Sequence, residues 1–212
     1  MAQTPAEIQP VRSALLYRAA LLVANTPDLN RLLEQMTALA GEGLHFDLCL
    51  LALQENSAAT YHVQVLWDAG GRVPLPAETA FALEQGLAGQ VMRSGKALLV
   101  SEAQAIQAEI ELLGGLSTQP QPLASLLVIP LQVYGRVFGA VSFATALTVG
   151  YDNADQAFAS AIATHLALAI DRLGQAQQLQ HTQNELRRLS SFPELNPSAI
   201  IELDPKIGRA HV

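Results

Sequence analysis

Apolar positions in VRSALLYRAALLVA (11–24) recur at helical spacing through Leu15, Leu16, Ala19, Leu22 and Val23. The period restarts in NTPDLNRLLEQMTALAGEG, where Leu29, Leu32, Leu33, Met36 and Leu39 form a second stripe. Asn25 or Thr26 is expected to cap that helix, with Pro27 at its first position, and Gly41 and Gly43 to stop it. The pattern then shortens to that of strands in FDLCLLALQ (46–54) and TYHVQVLWD (60–68). In the second, Tyr61, Val63, Val65 and Trp67 alternate with His62, Gln64 and Leu66, which predicts an antiparallel hairpin with the first set on one face. AGGRVPLPAE reads as a Pro- and Gly-rich connection. Further on, LASLLVIPLQVYGRVFGAVSFATA (123–146) predicts two strands about Tyr134-Gly135-Arg136. Pro130 implies a sheet edge or bulge there, and Gly139 a close backbone approach. A long helix follows, capped by Asp152 or Asn153 and carrying Phe158, Ile162, Leu166, Ile170 and Leu173 as its stripe.

Between these blocks lies GLAGQVMRSGK (86–96), whose glycines and lysine suggest a phosphate-binding loop. Such a loop runs strand, loop, helix and ends Gly-Lys-Ser/Thr. Here the spacing from Gly89 to Gly95 is one residue too long, and Ala97 stands where a magnesium-binding hydroxyl belongs. The flanks predict a helix over 87–94, with Leu87, Val91 and Met92 turned inward. Gly95 is its left-handed stop, and a strand follows Lys96. AQAIQAEIELLGG then predicts another helix and STQPQP a loop. Hairpin-linked strands covered by helices make an α+β class and one domain ending near residue 174.

Composition narrows the function. The chain has 212 residues, half of them apolar, and a formal net charge of −7. That acidity argues against a nucleic-acid surface, which needs Lys and Arg on phosphates. The longest apolar runs fall short of a membrane span, and MAQTPAEIQPVR has no signal-peptide pattern. A cytoplasmic location is expected, without membrane or nucleic-acid partners. Cys49 is the single cysteine, so internal disulfides and Cys-rich metal sites are excluded; among apolar neighbours it reads as core. No nucleophile elbow and no His-Glu-x-x-His motif occurs, so no catalytic residues and no metal site are assigned.

Three segments in order, GLAGQVMRSGKALLVSE, LASLLVIPLQVYGRVFGAVSFATA and YDNADQAFASAIATHLALAID, resemble a GAF domain over about residues 10–174. The resemblance implies a twisted antiparallel sheet of about five to six strands. N- and C-terminal helices would cover one face, and a helix/loop region would form a small-molecule pocket on the other. It also implies a sensor or dimerisation module of a multidomain bacterial signalling protein, such as a histidine kinase or diguanylate cyclase. Catalysis would belong to an attached output domain. Pocket candidates on this basis are Trp67, Leu87, Val91, Leu99, Phe138 and Phe143, with Arg93 or Arg136 as a partner for an anionic ligand. Cyclic-nucleotide members carry Asn-Lys, then Phe-x-x-x-Asp-Glu. Here Tyr151 and Asp155 keep the aromatic-to-Asp spacing, but Gln156 replaces the Glu and Thr145-Ala146 the Asn-Lys, so that ligand is the lesser expectation. Bilin attachment lacks its Cys-His pair. Free methionine sulfoxide reductase chemistry lacks its cysteines. Haem would rest on His62 or His45 alone, and no cofactor is expected.

Beyond Gly174 the helix continues as QAQQLQHTQNELRRLSS, with Leu179 and Leu186 seven residues apart. This suits a short coiled-coil linker over 175–191 and a homodimer through the terminal helices. Leu15, Leu22, His165, Leu179 and Leu186 are its candidate contacts. The segment 192–212, FPELNPSAIIELDPKIGRAHV, resembles the opening of a PAS domain. A domain needs about 100 residues, so the tail is expected to lack a core of its own and to belong to a longer signalling protein.

Overall fold

The computed structural model describes residues 5–54, 59–68, 71–73, 80–113 and 122–195. The chain divides into two compact units, Met1–Leu173 and Gly174–Val212. The first holds helices α1 (Pro5–Asn25) and α2 (Leu29–Gly43), and strands β1 (Leu48–Gln54), β2 (Thr60–Asp68), β3 (Gly71–Val73) and β4 (Ala80–Ala82). Then come α3 (Gly86–Ser94), β5 (Leu98–Val100), α4 (Ala103–Leu112), β6 (Ser125–Val133) and β7 (Arg136–Thr145). The last helix, α5, runs Asn153–Leu195. The segment 196–212, most of the PAS-like stretch, lies outside the described residues.

All pairings are antiparallel, and the strand order is β3-β2-β1-β7-β6-β5, with β4 also on β2. The sheet therefore has seven strands, more than expected. The additions are β3 and β4, three-residue strands that flank a connection whose sequence reads as irregular. Helices cover both faces. Leu48, Leu50 and Ala52 of β1 join one core with Ala88, Val91, Ile106 and Val128. Cys49 and Leu51 join another with α2 and α5. A strand buried on both faces reads as a continuous apolar run, which is why β1, β6 and β7 show so little alternation.

Two register breaks redirect side chains. Leu51 pairs with Val65 but Ala52 with Val63, so Gln64 is an extra residue in β2. Tyr61 and Val63 consequently face the α3/α4 core, while Val65 and Trp67 face α2 and α5. The expected single face of β2 is thus corrected to two half-faces joined by a bulge. In β7 the pairing skips Phe138 in the same way, since Leu131 meets Gly139 and Gln132 meets Val137. Pro130 falls where the short β5, paired only with Leu126–Val128, no longer reaches, so its missing N–H costs no ladder bond to that neighbour. An alanine Cβ at Gly139 would lie 2.6 Å from the Ala52 carbonyl oxygen, the close approach its position implied. The hairpin turn between β6 and β7 uses Tyr134 and Gly135 at φ 51° and 79°, the paired positive values of a type I′ turn.

Helix ends follow capping chemistry, with one correction. The N-cap of α2 is Asp28, whose Oδ1 accepts Arg31 N–H at 2.8 Å. Thr26 instead closes α1, its N–H donating to Leu22 O at 3.0 Å and its hydroxyl to Gln35 Oε1 at 3.2 Å. Pro27 separates the two helices. Asp28→Ala should lower stability by about 1 kcal/mol, and Asp28→Asn should restore most of it; chemical denaturation of the two variants measures both. At α5, Asp155 N–H donates to Asp152 Oδ1 at 2.8 Å and Asp152 N–H to Asp155 Oδ2 at 3.1 Å, a reciprocal cap. Helix α5 buries Phe158, Ile162 and Leu166 as its spacing predicted. Alanines 159, 163, 167 and 169 are buried too and let the helix lie close to its neighbours.

Candidate functional site

Helix α3 enters through Gly86 at φ 69° and leaves through Gly95 at φ 64°, ψ 16°. A Cβ at Gly89 would stand 2.3 Å from the Leu83 carbonyl oxygen. The GLAG stretch therefore brings a helix against backbone, with Ala88, Val91 and Met92 buried. At its N-terminus the exposed-donor problem of every helix is met by a side chain from α4: Glu109 Oε2 accepts Leu87 N–H at 2.8 Å. Gly86 makes room for it, since a Cβ there would come within 3.0 Å of the same oxygen and 3.1 Å of the Tyr61 hydroxyl. Tyr61 donates to Gln85 O at 3.2 Å. Burial pushes the Glu109 carboxyl upward, against the Leu87 and Ala88 N–H groups that favour its charged form. Burial, then the Glu109 charge, raises the Tyr61 phenol as well.

Beside this junction lies a recess of about 380 Å³, counted to its mouth, between α4 and the sheet. Leu48, Leu50, Leu126 and Ala144 form its floor, and Ile106, Glu109, Ile110 and Leu113 its α4 side. Ser142 supplies a hydroxyl, and Glu109 is the one ionisable side chain in the lining among the described residues. The spacing Ile106, Glu109, Ile110, Leu113 is an i, i+3, i+4, i+7 stripe. The carboxylate within that stripe is the sequence signal that marks Glu109, in a segment that otherwise reads as a polar helix.

The pocket candidates from the sequence do not gather on one face. Leu87 and Val91 belong with the α3/α4 core. Trp67, Leu99, Phe138 and Phe143 belong with the α2/α5 core. The bulge at Gln64 sends Trp67 there and the bulge at Phe138 turns that ring over, while strict alternation places Leu99 and Phe143. Trp67 and Phe143 border a separate recess, about 330 Å³ with the open solvent at its mouth included, together with Leu33, Met36, Cys49 and Ile162. Arg93 is exposed in the last turn of α3. Arg136 lies 3.6 Å from Asp171 and over the Phe138 ring. Neither arginine lines the α4 recess. Burial pushes the Cys49 thiol up, which keeps it an unreactive packing group.

The terminal-helix candidates also divide. Leu15 is buried within the domain at 3 % exposure, so it is not available to a partner; Leu22 is partly buried against the same core. His165 is half-buried, and burial lowers its pKa. Leu179 and Leu186 of the second unit are each 61 % exposed. Among the described residues the large apolar side chains that α1 and α5 leave open in the first unit are Tyr17, Leu21 and Leu168, with Val11; they lie off the inward stripes that dominate the sequence pattern.

Among the described residues no group of three or more His, Cys, Asp or Glu is placed to hold a metal ion. His45 sits 3.7 Å from Asp47. No described helix is long and apolar enough to cross a membrane.

Solved structures share this architecture at low identity. The GAF domain of a phosphoenolpyruvate-protein phosphotransferase from Coxiella burnetii aligns at a TM-score of 0.63 and 17% identity, over 79% of this chain and 96% of that one. Free methionine-R-sulfoxide reductase from Neisseria meningitidis aligns at 0.64 and 19%, over 83% and 96%. The GAF domain of a two-component sensor histidine kinase from Bacillus halodurans aligns at 0.58 and 22%, over 71% and 98%. A comparison with curated protein sequences finds no match. The sequence pattern of the GAF domain matches residues 26–171, from the loop before α2 to α5, and with that span the chain belongs to the GAF domain family.

Proposed function

We propose that this domain is a small-molecule-sensing regulatory module of a multidomain signalling protein, with the recess under α4 as its ligand pocket. The supporting observation is a predominantly apolar recess with few polar groups on the sheet face opposite α1, α2 and α5, the composition that small-ligand sites use. Helix α4 covers the recess with little burial of its own, Ile106 being its one fully buried residue. Ligand held there would bias the packing of β1, β6 and β7, which carry both cores. The bias is limited to the ligand's differential affinity for the two states, typically about 1–3 kcal/mol. The GAF domains of a sensor histidine kinase and a phosphotransferase among the structural relatives agree with a regulatory role, the chemistry lying in an attached domain. The resemblance of 192–212 to a PAS opening suggests a PAS domain as the neighbouring module.

A thermal-shift screen of nucleotides, amino acids, amines and aromatic metabolites tests the reading. A ligand at about 100 times its Kd should add roughly 2.7 kcal/mol of stability, and Ile110→Trp, which fills the recess from α4, should abolish the gain. If no compound stabilises the wild type, or if Ile110→Trp leaves the gain intact, the pocket assignment fails.

A second reading is a dimerisation module, favoured by exposed Tyr17, Leu21 and Leu168 in the first unit and by Leu179 and Leu186 in the second. Sedimentation of the wild type against the Leu179→Glu/Leu186→Glu double variant distinguishes a helix-mediated dimer from a monomer.

A further inference from the structure

The N-terminus of α3 is where an oxyanion would be received in a phosphate-binding fold, and in this protein a carboxylate of the chain itself stands there. Glu109 reaches it from α4 and accepts Leu87 N–H at 2.8 Å, through space that Gly86 leaves free. Among the described residues the same carboxylate is the single ionisable group lining the recess, and every other lining side chain is apolar except Ser142. An incoming anion would meet a negative charge in a poorly hydrated setting, with the helix dipole already answered. An incoming cation would meet an acceptor with capacity to spare, since an ionised carboxylate has about four lone-pair sites and the bond from Leu87 N–H occupies one of them.

We propose that the ligand of this recess is a small apolar molecule bearing one protonated amine, that Glu109 receives the ammonium, and that anionic ligands are rejected by the same side chain. This deepens the pocket reading above and rests on it. Glu109 thus joins two tasks: it holds α4 against α3, and it sets the sign of charge the pocket accepts.

A series sharing one phenylethyl group separates the two claims: 2-phenylethylamine, 2-phenylethanol and 3-phenylpropionate, titrated at neutral pH into ¹⁵N-labelled protein and followed at Leu48, Ile110, Leu126 and Ala144. A full ion pair with Glu109, where the alcohol brings only an uncharged donor to the same carboxylate, predicts about tenfold tighter binding of the amine than of the alcohol, with the carboxylate weakest. Glu109→Gln keeps an oxygen for Leu87 N–H but leaves a bound ammonium without its counter-charge in an apolar recess, so the amine should fall to within about twofold of the alcohol. Binding of the alcohol or carboxylate as tight as the amine, or an amine preference that survives Glu109→Gln, overturns the charge assignment while leaving the pocket in place. Binding of none of the three at these residues overturns the pocket and this inference together. The wild-type series stands even if the variant were to misfold.

Discussion

Arg12→Ala should cost the domain about 2–3 kcal/mol, a fall in Tm of roughly 4–12 °C for a chain of this size. The Arg12 guanidinium donates to Gly43 O from Nε at 3.1 Å and Nη2 at 3.0 Å, pairs with Asp155, and lies 5.2 Å over the Phe158 ring. Its side chain is 15 % exposed and that of Asp155 20 %, so neither charge is well solvated on its own. One residue of α1 thereby closes the C-terminus of α2 and meets the cap of α5, placing a cation at one helix end and an anion at the other, both favourable to the dipoles. Removing the arginine leaves the Gly43 carbonyl without its side-chain donor and the largely buried Asp155 carboxylate with the Asp152 N–H but without its cationic partner. Arg12→Lys keeps charge but not the planar fork or the stacking, and should recover less than half of the loss. Denaturation midpoints of the three proteins decide it; a lysine variant equal to wild type would show that charge alone matters.

Gly89→Ala should be destabilising by about 2–3 kcal/mol, although alanine is the better helix former. Its Cβ would lie 2.3 Å from the Leu83 oxygen and 3.0 Å from the Leu83 carbonyl carbon, and backbone cannot swing aside as a side-chain tip can. Helix α3 would have to lift from the turn after β4, loosening Leu87 N–H from Glu109. Gly41→Ala supplies the control within α2: its nearest neighbour would be a Phe46 ring carbon at 3.6 Å, so it should gain about 0.5–1 kcal/mol from helix propensity. Opposite signs for the two changes, measured by thermal denaturation, are the expected result.

Much of the architecture is legible because long elements announce themselves by period. The helices α1, α2 and α5, the hairpin of β6 and β7, and the helix–glycine–strand reading of 86–100 all derive from spacing and from Gly and Pro chemistry. The features that escape the sequence have a common physical cause. Three-residue strands such as β3 and β4 are too short to display a period and exist only because β2 offers an edge. A bulge is a property of two strands in register, so neither Gln64 nor Phe138 betrays it in its own segment. A one-residue slip exchanges faces and so moves Trp67 and Phe138, and ordinary alternation puts Leu99 and Phe143 with them, so the pocket candidates divide between two cores. Glu109 is inconspicuous because a carboxylate in a polar helix looks solvated; only its place in the stripe with Ile106, Ile110 and Leu113 marks it as inward.

The bulge at Gln64 also hands the experimenter an optical probe. Trp67 is the chain's one tryptophan, and the extra residue seats its indole under α2 and α5, while Tyr61 and Val63 of the same strand stay with α3 and α4. Its emission therefore reports on the far side of the sheet from the candidate pocket. A small molecule in the α4 recess has no contact with that indole, so any change in emission on binding would be a record of strain carried across the sheet from β1 to β2 rather than of the binding event itself.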